Sequence, residues 1–283
     1  MEYIKGKWTN KLFQIKKVIG KGGIGTVYKV KDENDKLYAL KVSSNISSIT
    51  KEFNLLKKLS DITFIPKVFN LDDVDGDKLY FFTMEYIDGV PLKKYMKKNI
   101  SISNTIGIVY ILLETIDEIY KRGFTYWDFK LENILIDKKI KKLRLVDFGG
   151  VVEKGKTIKE YTPTYNSYCW GLREFSEEDS IVFSLSMIFV SMIYGKEYNP
   201  LTNKIEDIIY NIKHCKIEKK LKGLIIRGLK GKYSSLEEYK KNLLSIIQSD
   251  NFNDKHIDTV WIDYFFIISI LFFLIFILVV LMT

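Results

Sequence analysis

The feature that most constrains the fold of this chain is a glycine cluster flanked on both sides by β-type residues. Within "IGKGGIGTVYKV", Gly20, Gly22 and Gly25 precede Val27 in a GxGxxGxV pattern. A dinucleotide-binding turn would require a helix after the glycines, and a Walker A loop would end in Gly-Lys-Ser/Thr. The pattern therefore predicts two strands joined by a loop whose backbone amides can approach phosphate groups or, taken alone, an ordinary β-hairpin.

The pattern of apolar residues changes along the chain from strand-like to helical. Residues 11–42 alternate short strand-like runs with turns, and a further hairpin is predicted around residues 75–76. From Leu92 onward the period is mostly helical, interrupted by a short β insert over residues 134–146. The segments with helical periodicity are residues 50–60, 101–121, 177–194 and 204–230. This order predicts an α+β fold in which a strand-rich part precedes a larger helical part.

The composition excludes two kinds of site. Cys169 and Cys215 are far apart, and His214 and His256 are isolated, so neither a disulfide framework nor a zinc site is predicted. The 44 Lys and Arg residues exceed the 35 Asp and Glu residues, which gives a net charge of +9. This excess is typical of a solvated lysine-rich surface, and it also suits an anionic membrane surface. A nucleic-acid partner is not expected, because no basic motif interleaved with aromatic residues is present.

The end of the chain contains a long apolar run. Residues 264–282 are 19 residues without a charge, and as a helix they would be about 28 Å long, close to the hydrocarbon thickness of a bilayer. Trp261 and Tyr264 lie where an interfacial aromatic belt would be. We therefore expect a transmembrane helix over residues 262–282, in preference to a buried core helix.

The flanking residues predict how this helix would be oriented. The polar residues 249–260 would link it to the folded part, and only one residue follows the apolar run, so the folded part is expected in the cytoplasm of a single-pass membrane protein. The densest lysine runs lie at residues 93–98 and 138–144. We interpret the first as a solvated helix face, and anionic headgroups would attract either run if it reached the membrane.

Further polar residues follow the glycine cluster in a fixed order. Lys41 lies in "YALKV", sixteen residues after Gly25, and Glu52 lies eleven residues further on in a predicted helix. The stretch "GFTYWDFKLENILI" then contains an Asp-x-Lys-x-x-Asn motif that begins at Asp128, and "LVDFGG" supplies Asp147. Each residue alone is an ordinary charge, so the information lies in their order and spacing.

In order and spacing, these motifs resemble those of protein kinases, most closely the bacterial branch of the eukaryotic-type Ser/Thr kinases. The resemblance covers about residues 11–248. It implies a two-lobed, protein-kinase-like α+β fold, with a small β-rich N-lobe at residues 11–87 and a larger helical C-lobe at residues 88–248. The polar linker at residues 249–260 and the transmembrane helix at residues 262–282 would follow.

The resemblance also implies an ATP- and Mg²⁺-dependent Ser/Thr protein kinase that transfers the γ-phosphoryl group to protein hydroxyls. The catalytic residues would be Asp128 as the base, with Lys130 and Lys41 on the phosphates. Asn133 and Asp147 would hold Mg²⁺. The residues implied in nucleotide binding are Gly20, Lys21, Gly22, Gly23, Gly25, Val27, Ala39, Lys41, Glu52, Glu85, Ile87 and Leu135.

Two residues of the catalytic stretch depart from the family pattern. Tyr126 and Trp127 stand where the family has His and Arg. An aromatic side chain at position 126 can still pack beneath Phe148, as the family's histidine does. Tryptophan cannot bind phosphate, so we expect the loop after Gly149 to become ordered without phosphorylation. The groups that perform the chemistry are retained, which favours an active enzyme.

Further departures concern the region that would dock a peptide. "YTPTY" resembles the end of an activation segment, and its Thr162 is predicted to bond within the catalytic loop. The family's Ala-Pro-Glu is replaced by Ser-Tyr-Cys at residues 167–169, and Lys232 is offered where the family has the arginine that pairs with that glutamate. The following helix has Ile181 where the family has an aspartate, with Asp179 as a candidate substitute.

Two alternatives to a membrane-anchored Ser/Thr protein kinase are left open by the sequence. One is a membrane-tethered pseudokinase that binds nucleotide and partners as a scaffold, and the other is a kinase-fold enzyme that acts on a small molecule. Phosphate transfer from ATP excludes the first, and a substrate screen tests the second. Protein substrates, some of them membrane-associated, are the expected partners, and self-association is a further option.

Overall fold

An antiparallel sheet of six strands forms most of the N-terminal part of the protein. The structure is a computed structural model, and it describes residues 2–23, 25–96, 100–157 and 160–249. The strands are β1 (Tyr3–Lys5), β2 (Leu12–Lys21), β3 (Thr26–Lys31), β4 (Leu37–Ser43), β5 (Val68–Asp73) and β6 (Tyr80–Glu85). Their order in the sheet is β1-β2-β3-β4-β6-β5. The predicted hairpin joins β5 to β6, and Gly76 in its turn has a φ of 76°, which a glycine adopts without strain.

The residues before β2 connect the two edges of this sheet. β1 pairs with β2, and Gly6, just after β1, forms an antiparallel bridge with Val74, just after β5. Ile4 is 1% exposed and packs into the core of the sheet. The N-lobe therefore includes residues that precede the predicted boundary at residue 11, because an extra strand supplies apolar surface to its core.

Helix α1 (Ile46–Lys58) packs between the sheet and the rest of the protein. It begins four residues before the predicted helix, because the Asn45 side chain caps it by accepting a hydrogen bond from Ser48 N. Ile49, Glu52 and Leu56 recur at helical spacing on its buried face. The apolar pair fixes the helix against the core, and this packing turns Glu52 inward.

Helices form the larger C-lobe around one buried central helix. The helices are α2 (Leu92–Met96), α3 (Ile102–Lys121), α4 (Glu177–Tyr194), α5 (Ile205–His214), α6 (Lys219–Leu229) and α7 (Leu236–Ser249). Every residue of α4 from Ser180 to Met192 is buried, and a capping box of Ser176 and Asp179 begins the helix. The helical pattern predicted over residues 204–230 corresponds to two helices, because the chain leaves the helical conformation after His214 and α6 starts at Lys219.

Five short strands position the loops between the lobes. They are β7 (Gly89–Pro91), β8 (Phe124–Tyr126), β9 (Ile134–Asp137), β10 (Leu143–Leu145) and β11 (Val151–Glu153). β9 pairs with both β7 and β10, while β8 pairs with β11. The β insert predicted over residues 134–146 is confirmed as the hairpin of β9 and β10. Together with the helical C-lobe, these elements confirm the predicted two-lobed α+β fold.

The predicted membrane span lies outside the part of the chain that the structure describes. That holds for residues 262–282 and for the linker beyond Ser249. Among the described helices, none combines the length and the apolar character needed to cross a bilayer.

Candidate active site

Lys41 is at the centre of an ion-pair group that joins three elements. It lies on β4, Glu52 lies on α1, and Asp147 follows β10. The Lys41 Nζ is 2.6 Å from Glu52 Oε2 and 3.3 Å from Asp147 Oδ1. Burial by itself would lower the pKa of Lys41, but the two carboxylates outweigh it and raise that pKa, so the lysine is charged.

Asp147 is held between two lysines. Lys130 Nζ lies 3.7 Å from Asp147 Oδ2, while Lys41 approaches Oδ1. Burial opposes ionisation of this carboxyl, but the positive charges of Lys41 and Lys130 lower the pKa of Asp147 below its ordinary value. The carboxylate is therefore ionised and about a third exposed, at 37%, which leaves it accessible as an oxygen ligand.

The carboxylate of Asp128 is fixed by three side chains. Thr162 Oγ1 donates to Asp128 Oδ1 at 2.8 Å, and Lys130 Nζ donates to Oδ2 at 2.7 Å. Asn133 Nδ2 approaches the same Oδ2 at 3.4 Å. Asp128 is 5% exposed, so these contacts are made away from bulk water. The predicted bond from Thr162 into the catalytic loop is confirmed.

Tyr126 supports the residues that follow Asp147. Its ring packs edge-on against Phe148 and Phe129, with centroid separations of 5.8 Å and 5.2 Å. Its hydroxyl donates to the Asp147 carbonyl at 3.4 Å, and Asp147 has a φ of 67°, in the left-handed region that is costly for most residues. The expected packing of an aromatic residue against Phe148 is confirmed.

Trp127 is buried beside the catalytic loop, with 7% of its surface exposed. Its indole N–H has no hydrogen-bond partner among the described residues. The position that carries an arginine in the family therefore carries an uncharged side chain here, and it presents no guanidinium to a phosphate group.

The glycine-rich loop lies against β4, next to Lys41. Gly20 pairs with Val27, and Lys21 pairs with Thr26, where β2 meets β3. A Cβ atom on Gly25 would lie 2.2 Å from the carbonyl oxygen of Val42, whereas one on Gly22 or Gly23 would meet nothing within 4 Å. Close approach of the backbone to β4 therefore requires glycine at position 25.

Four of the residues implied in nucleotide binding lie in or beside the segment that connects the lobes. Ala39 on β4 pairs with Met84 on β6, and Leu135 on β9 pairs with Pro91 on β7. Ala39 is 5% exposed. Glu85 and Ile87 lie between these strand pairs, at the end of β6 and in the connecting segment, which we call the hinge (residues 86–88).

Arg144 forms an ion pair, which the sequence did not predict, with Glu85, the residue that precedes the hinge. It donates to Glu85 through both terminal nitrogens of its guanidinium group, at 2.9 Å and 2.5 Å, and its side chain is only 5% exposed. Arg144 ends the lysine-rich run at residues 138–144. The pair is separated by 59 residues in the chain, so no local pattern could have revealed it.

Lys93 lies on the predicted solvated face of residues 93–98, with 41% of its side chain exposed, and it also forms ion pairs that the sequence did not predict. Its ammonium forms ion pairs with Glu132 of the catalytic loop and, at 2.8 Å, with Glu197. Tyr165 also donates to Glu197, at 2.8 Å. Lys93 thus joins α2 to the catalytic loop and, through Glu197, to the activation segment.

The expected replacement of the family's glutamate–arginine bridge by Lys232 is wrong. Arg227 pairs with Glu238 at 2.6 Å, and Lys232 contacts Arg227 through its backbone, since its carbonyl accepts from the guanidinium and its N–H donates to the Arg227 carbonyl. Asp179 does not substitute for the aspartate absent at Ile181, because it is used in the cap of α4.

The activation segment is instead fastened to α4 by serines. Ser184 Oγ lies 2.6 Å from the Tyr165 carbonyl, and the hydroxyls of Ser167 and Ser180 are 2.9 Å apart.

The donor set near Asp147 suits Mg²⁺. Asp147 offers a carboxylate and Asn133 offers an amide, and Mg²⁺ binds through one or two carboxylates while retaining water and phosphate oxygens. Within the described ranges, no group of three or more His, Cys, Asp or Glu residues could hold a metal ion unaided. These residues therefore fit an ion that arrives with phosphate groups.

Comparisons with known proteins agree with this geometry. A family model described as a protein kinase domain matches residues 13–253. The chain is 32% identical to serine/threonine-protein kinase YabT of Bacillus subtilis over 85% of its own length and 73% of that protein. It is also similar to a probable serine/threonine-protein kinase, PknB, of Lactococcus lactis (29% identity over 48% of this chain and 23% of the relative). Serine/threonine-protein kinase PrkC of Bacillus subtilis is 24% identical over 68% of this chain and 32% of its own length.

Proposed function

Because the chain belongs to the protein kinase family, as a serine/threonine kinase, we propose that it transfers the γ-phosphoryl group of ATP to hydroxyl groups of membrane-associated proteins. The observation that carries this proposal is the contact of Lys41 with both Glu52 and Asp147. The contact joins the sheet, α1 and the segment after β10, and it places a charged lysine beside a carboxylate that suits Mg²⁺. Phosphoryl transfer asks a protein mainly for such positioning and charge neutralisation.

We assign Asp128 to the substrate hydroxyl. Its carboxylate would orient that hydroxyl and accept the proton as the oxygen attacks phosphorus. Thr162 and Lys130 each bond to a different oxygen of Asp128, which fixes the plane of the carboxylate. The Lys130 ammonium also lies near Asp147, so it would bind the phosphoryl group between the carboxylates of Asp128 and Asp147.

Asn133 and Asp147 would hold Mg²⁺, which when bound supplies charge neutralisation to the phosphates. Lys41, steadied by Glu52, would direct its ammonium to the phosphate oxygens. Tyr126 would keep Asp147 in its left-handed conformation through its hydrogen bond to the Asp147 carbonyl. At the other end of the nucleotide, the backbone of Glu85 and Ile87 would bind adenine between Ala39 and Leu135.

We further propose that activity does not depend on a phosphorylated activation loop. Trp127 is uncharged and buried, so it cannot bind the phosphate that an arginine at this position would bind. The Thr162–Asp128 and Ser184–Tyr165 contacts supply the ordering of the segment instead.

The apolar run at residues 264–282 supports a membrane anchor over residues 262–282 that leaves the kinase domain in the cytoplasm. As a flexible coil, the 12-residue linker would span about 20 Å, so the active site would stay within a domain's width of the bilayer. Tethering at this distance raises the effective concentration of membrane-bound substrates without any new contact.

Transfer of radiolabel from ATP tests the enzymatic part of the proposal. The full chain in detergent should label itself or a generic Ser/Thr peptide in the presence of Mg²⁺, and chelation of Mg²⁺ should abolish the signal. Lys41→Met should lower transfer by orders of magnitude while the thermal unfolding transition is retained. Nucleotide binding without transfer by the wild-type chain would favour the pseudokinase scaffold.

Fractionation of cells tests the anchor separately. The full chain should sediment with membranes and resist extraction by high salt, whereas a chain that ends at Gln248 should be found in the soluble fraction. Release of the full chain by salt alone would rule out a spanning helix, because only the electrostatic part of membrane binding is sensitive to ionic strength.

A further inference from the structure

Arg144 links the strand that leads to Asp147 with Glu85, the residue that precedes the hinge. It lies on β10, three residues before Asp147. Its guanidinium forms a two-pronged ion pair with Glu85, the last residue of β6, and it also donates to the Ile65 carbonyl at 3.3 Å. Two-pronged pairing fixes direction as well as distance, which a lysine could not do.

The same side chain reaches the residue that fixes the far end of the hinge. Arg144 Nη1 lies 3.8 Å from Asp137 Oδ2, and Asp137 pairs with Gly89, where β7 begins. The hinge residues 86–88 are therefore held at both ends by elements that Arg144 contacts. Glu85 is itself tied to the N-lobe, because its backbone N donates to the Lys67 carbonyl at 2.8 Å.

The cost of this arrangement indicates that it is not there only for stability. Arg144 Nε is buried and has no hydrogen-bond partner within the described part of the chain. Arg144 itself is 5% exposed, so its charge loses most of its hydration whatever the exposure of Glu85, and an orphaned donor adds a further penalty. A position that needed only to be filled would be better served by an apolar side chain.

We propose that Arg144 is a positioning residue for the base of the nucleotide. Acting through Glu85, it holds the Glu85 carbonyl and the Ile87 amide at the spacing that adenine requires. The inference rests on the proposed function, since it takes the hinge to be the adenine site. Beyond that function, it assigns a role in selecting the base to Arg144, a side chain that does not touch the nucleotide.

The test replaces Arg144 with methionine in the full chain and compares nucleotide affinity with turnover. Glu85 is about a third exposed, at 34%, so its carboxylate can be hydrated once Arg144 is gone. With the wild-type chain as reference, Arg144→Met should raise the KM for ATP about tenfold and change kcat by less than about twofold, because one preorganised hydrogen bond to the base is weakened. The preference for ATP over GTP should fall by a similar factor, because the carbonyl selects adenine by accepting from its amino group.

Three further measurements keep the result interpretable. Displacement of a fluorescent ATP analogue by ATP or GTP reports affinity even if no phosphate is transferred, so loss of the kinase activity and loss of this inference give different results. Glu85→Gln, which keeps the volume and removes the charge, should shift affinity in the same direction, and it carries the test if Arg144→Met does not fold. Arg227→Met removes the Arg227–Glu238 pair in the C-lobe and should leave ATP affinity unchanged.

Unchanged ATP affinity and unchanged base preference in folded Arg144→Met would overturn the proposal. A lower kcat at unchanged affinity would overturn it as well, since the pair would then act on the phosphate end. An increased kcat would show that the pair restrains the lobes and does not serve the base.

Discussion

The catalytic cluster and the end of the activation segment differ in how closely they keep the residue types of the family. In the catalytic cluster, the groups that would touch phosphate, Mg²⁺ or the substrate hydroxyl are two carboxylates, two lysines and an amide, at the family's spacing. At the end of the activation segment, the family's charged bridge is gone, and Ser184 and Ser167 fasten the backbone to α4 instead. A group that moves a proton or binds a metal has few substitutes, whereas many hydrogen bonds can hold a backbone in place.

The largest expected effect is the loss of either catalytic carboxylate. Asp128→Asn and Asp147→Asn should each lower kcat by about 10²- to 10⁴-fold, because one removes the proton acceptor and the other weakens the metal site. The thermal unfolding transition should stay cooperative. Asp61→Asn, an exposed carboxylate paired with Arg122, is the matched control and should keep wild-type transfer. Near-wild-type transfer by both catalytic variants would place the chemistry elsewhere.

A smaller loss of kcat is expected when Thr162 is replaced, because this residue of the activation segment contacts the catalytic cluster. Thr162→Ala should lower kcat about tenfold to a hundredfold, because Asp128 Oδ1 loses a hydrogen bond to a charged acceptor. Thr162→Ser keeps the hydroxyl and should recover most of the activity. Equal activity in the two variants would show that the hydroxyl is dispensable and that Lys130 alone fixes Asp128.

A side chain at position 25 should lower the stability of the fold, whereas one at position 22 should not. Gly25→Ala should destabilise the fold by about 1–3 kcal/mol, since its Cβ would lie 2.2 Å from the Val42 carbonyl. Gly22→Ala, where a Cβ meets nothing within 4 Å, is the control and should be close to neutral in stability. Thermal unfolding measures both. Equal transition temperatures for the two variants would mean that the loop moves away from β4 without cost.

The serine contacts of the activation segment should affect stability more than chemistry. Ser184→Ala should cost about 1 kcal/mol of unfolding free energy, because the Tyr165 carbonyl loses its partner, while kcat stays near the wild-type value. Ser245→Ala, whose hydroxyl bonds only within α7, is the matched control. A loss of turnover in Ser184→Ala larger than its loss of stability would contradict the division between the two regions.

The smallest effect on activity is expected from the threonines of the activation loop, because Trp127 replaces the arginine that would bind their phosphates. Thr157→Ala and Thr164→Ala should each change activity by less than about twofold, because Trp127 cannot bind a phosphate at either position. Phosphatase treatment followed by a kinase assay checks the same point on the wild-type chain. Strong inactivation that rephosphorylation reverses would show that another basic residue has taken over the arginine's role.

The sequence alone predicted the two lobes and the residues gathered around Lys41 because those signals are local. A glycine cluster between strand-like runs predicts a strand–loop–strand unit, and the helical pattern over residues 50–60 predicts that Glu52 lies on a helix. The helical pattern over residues 204–230 did not reveal the break after His214, because that boundary depends on packing. The lysine run did not reveal the ion pairs of Lys93, because Glu132 and Glu197 are distant from it in the chain.

Only the tertiary structure decided which distant side chains meet. Lys41 and Asp147 are 106 residues apart, and Arg144 and Glu85 are 59 apart, so their contacts exist only once the lobes close on each other. The packing between the lobes also buries Arg144, while pairing of β3 with β4 brings Gly25 onto the Val42 carbonyl. The sequence by itself determined the residue types that phosphoryl transfer requires. Their distances, and the pKa shift that keeps Asp147 ionised, follow from packing and burial that no short stretch of the chain contains.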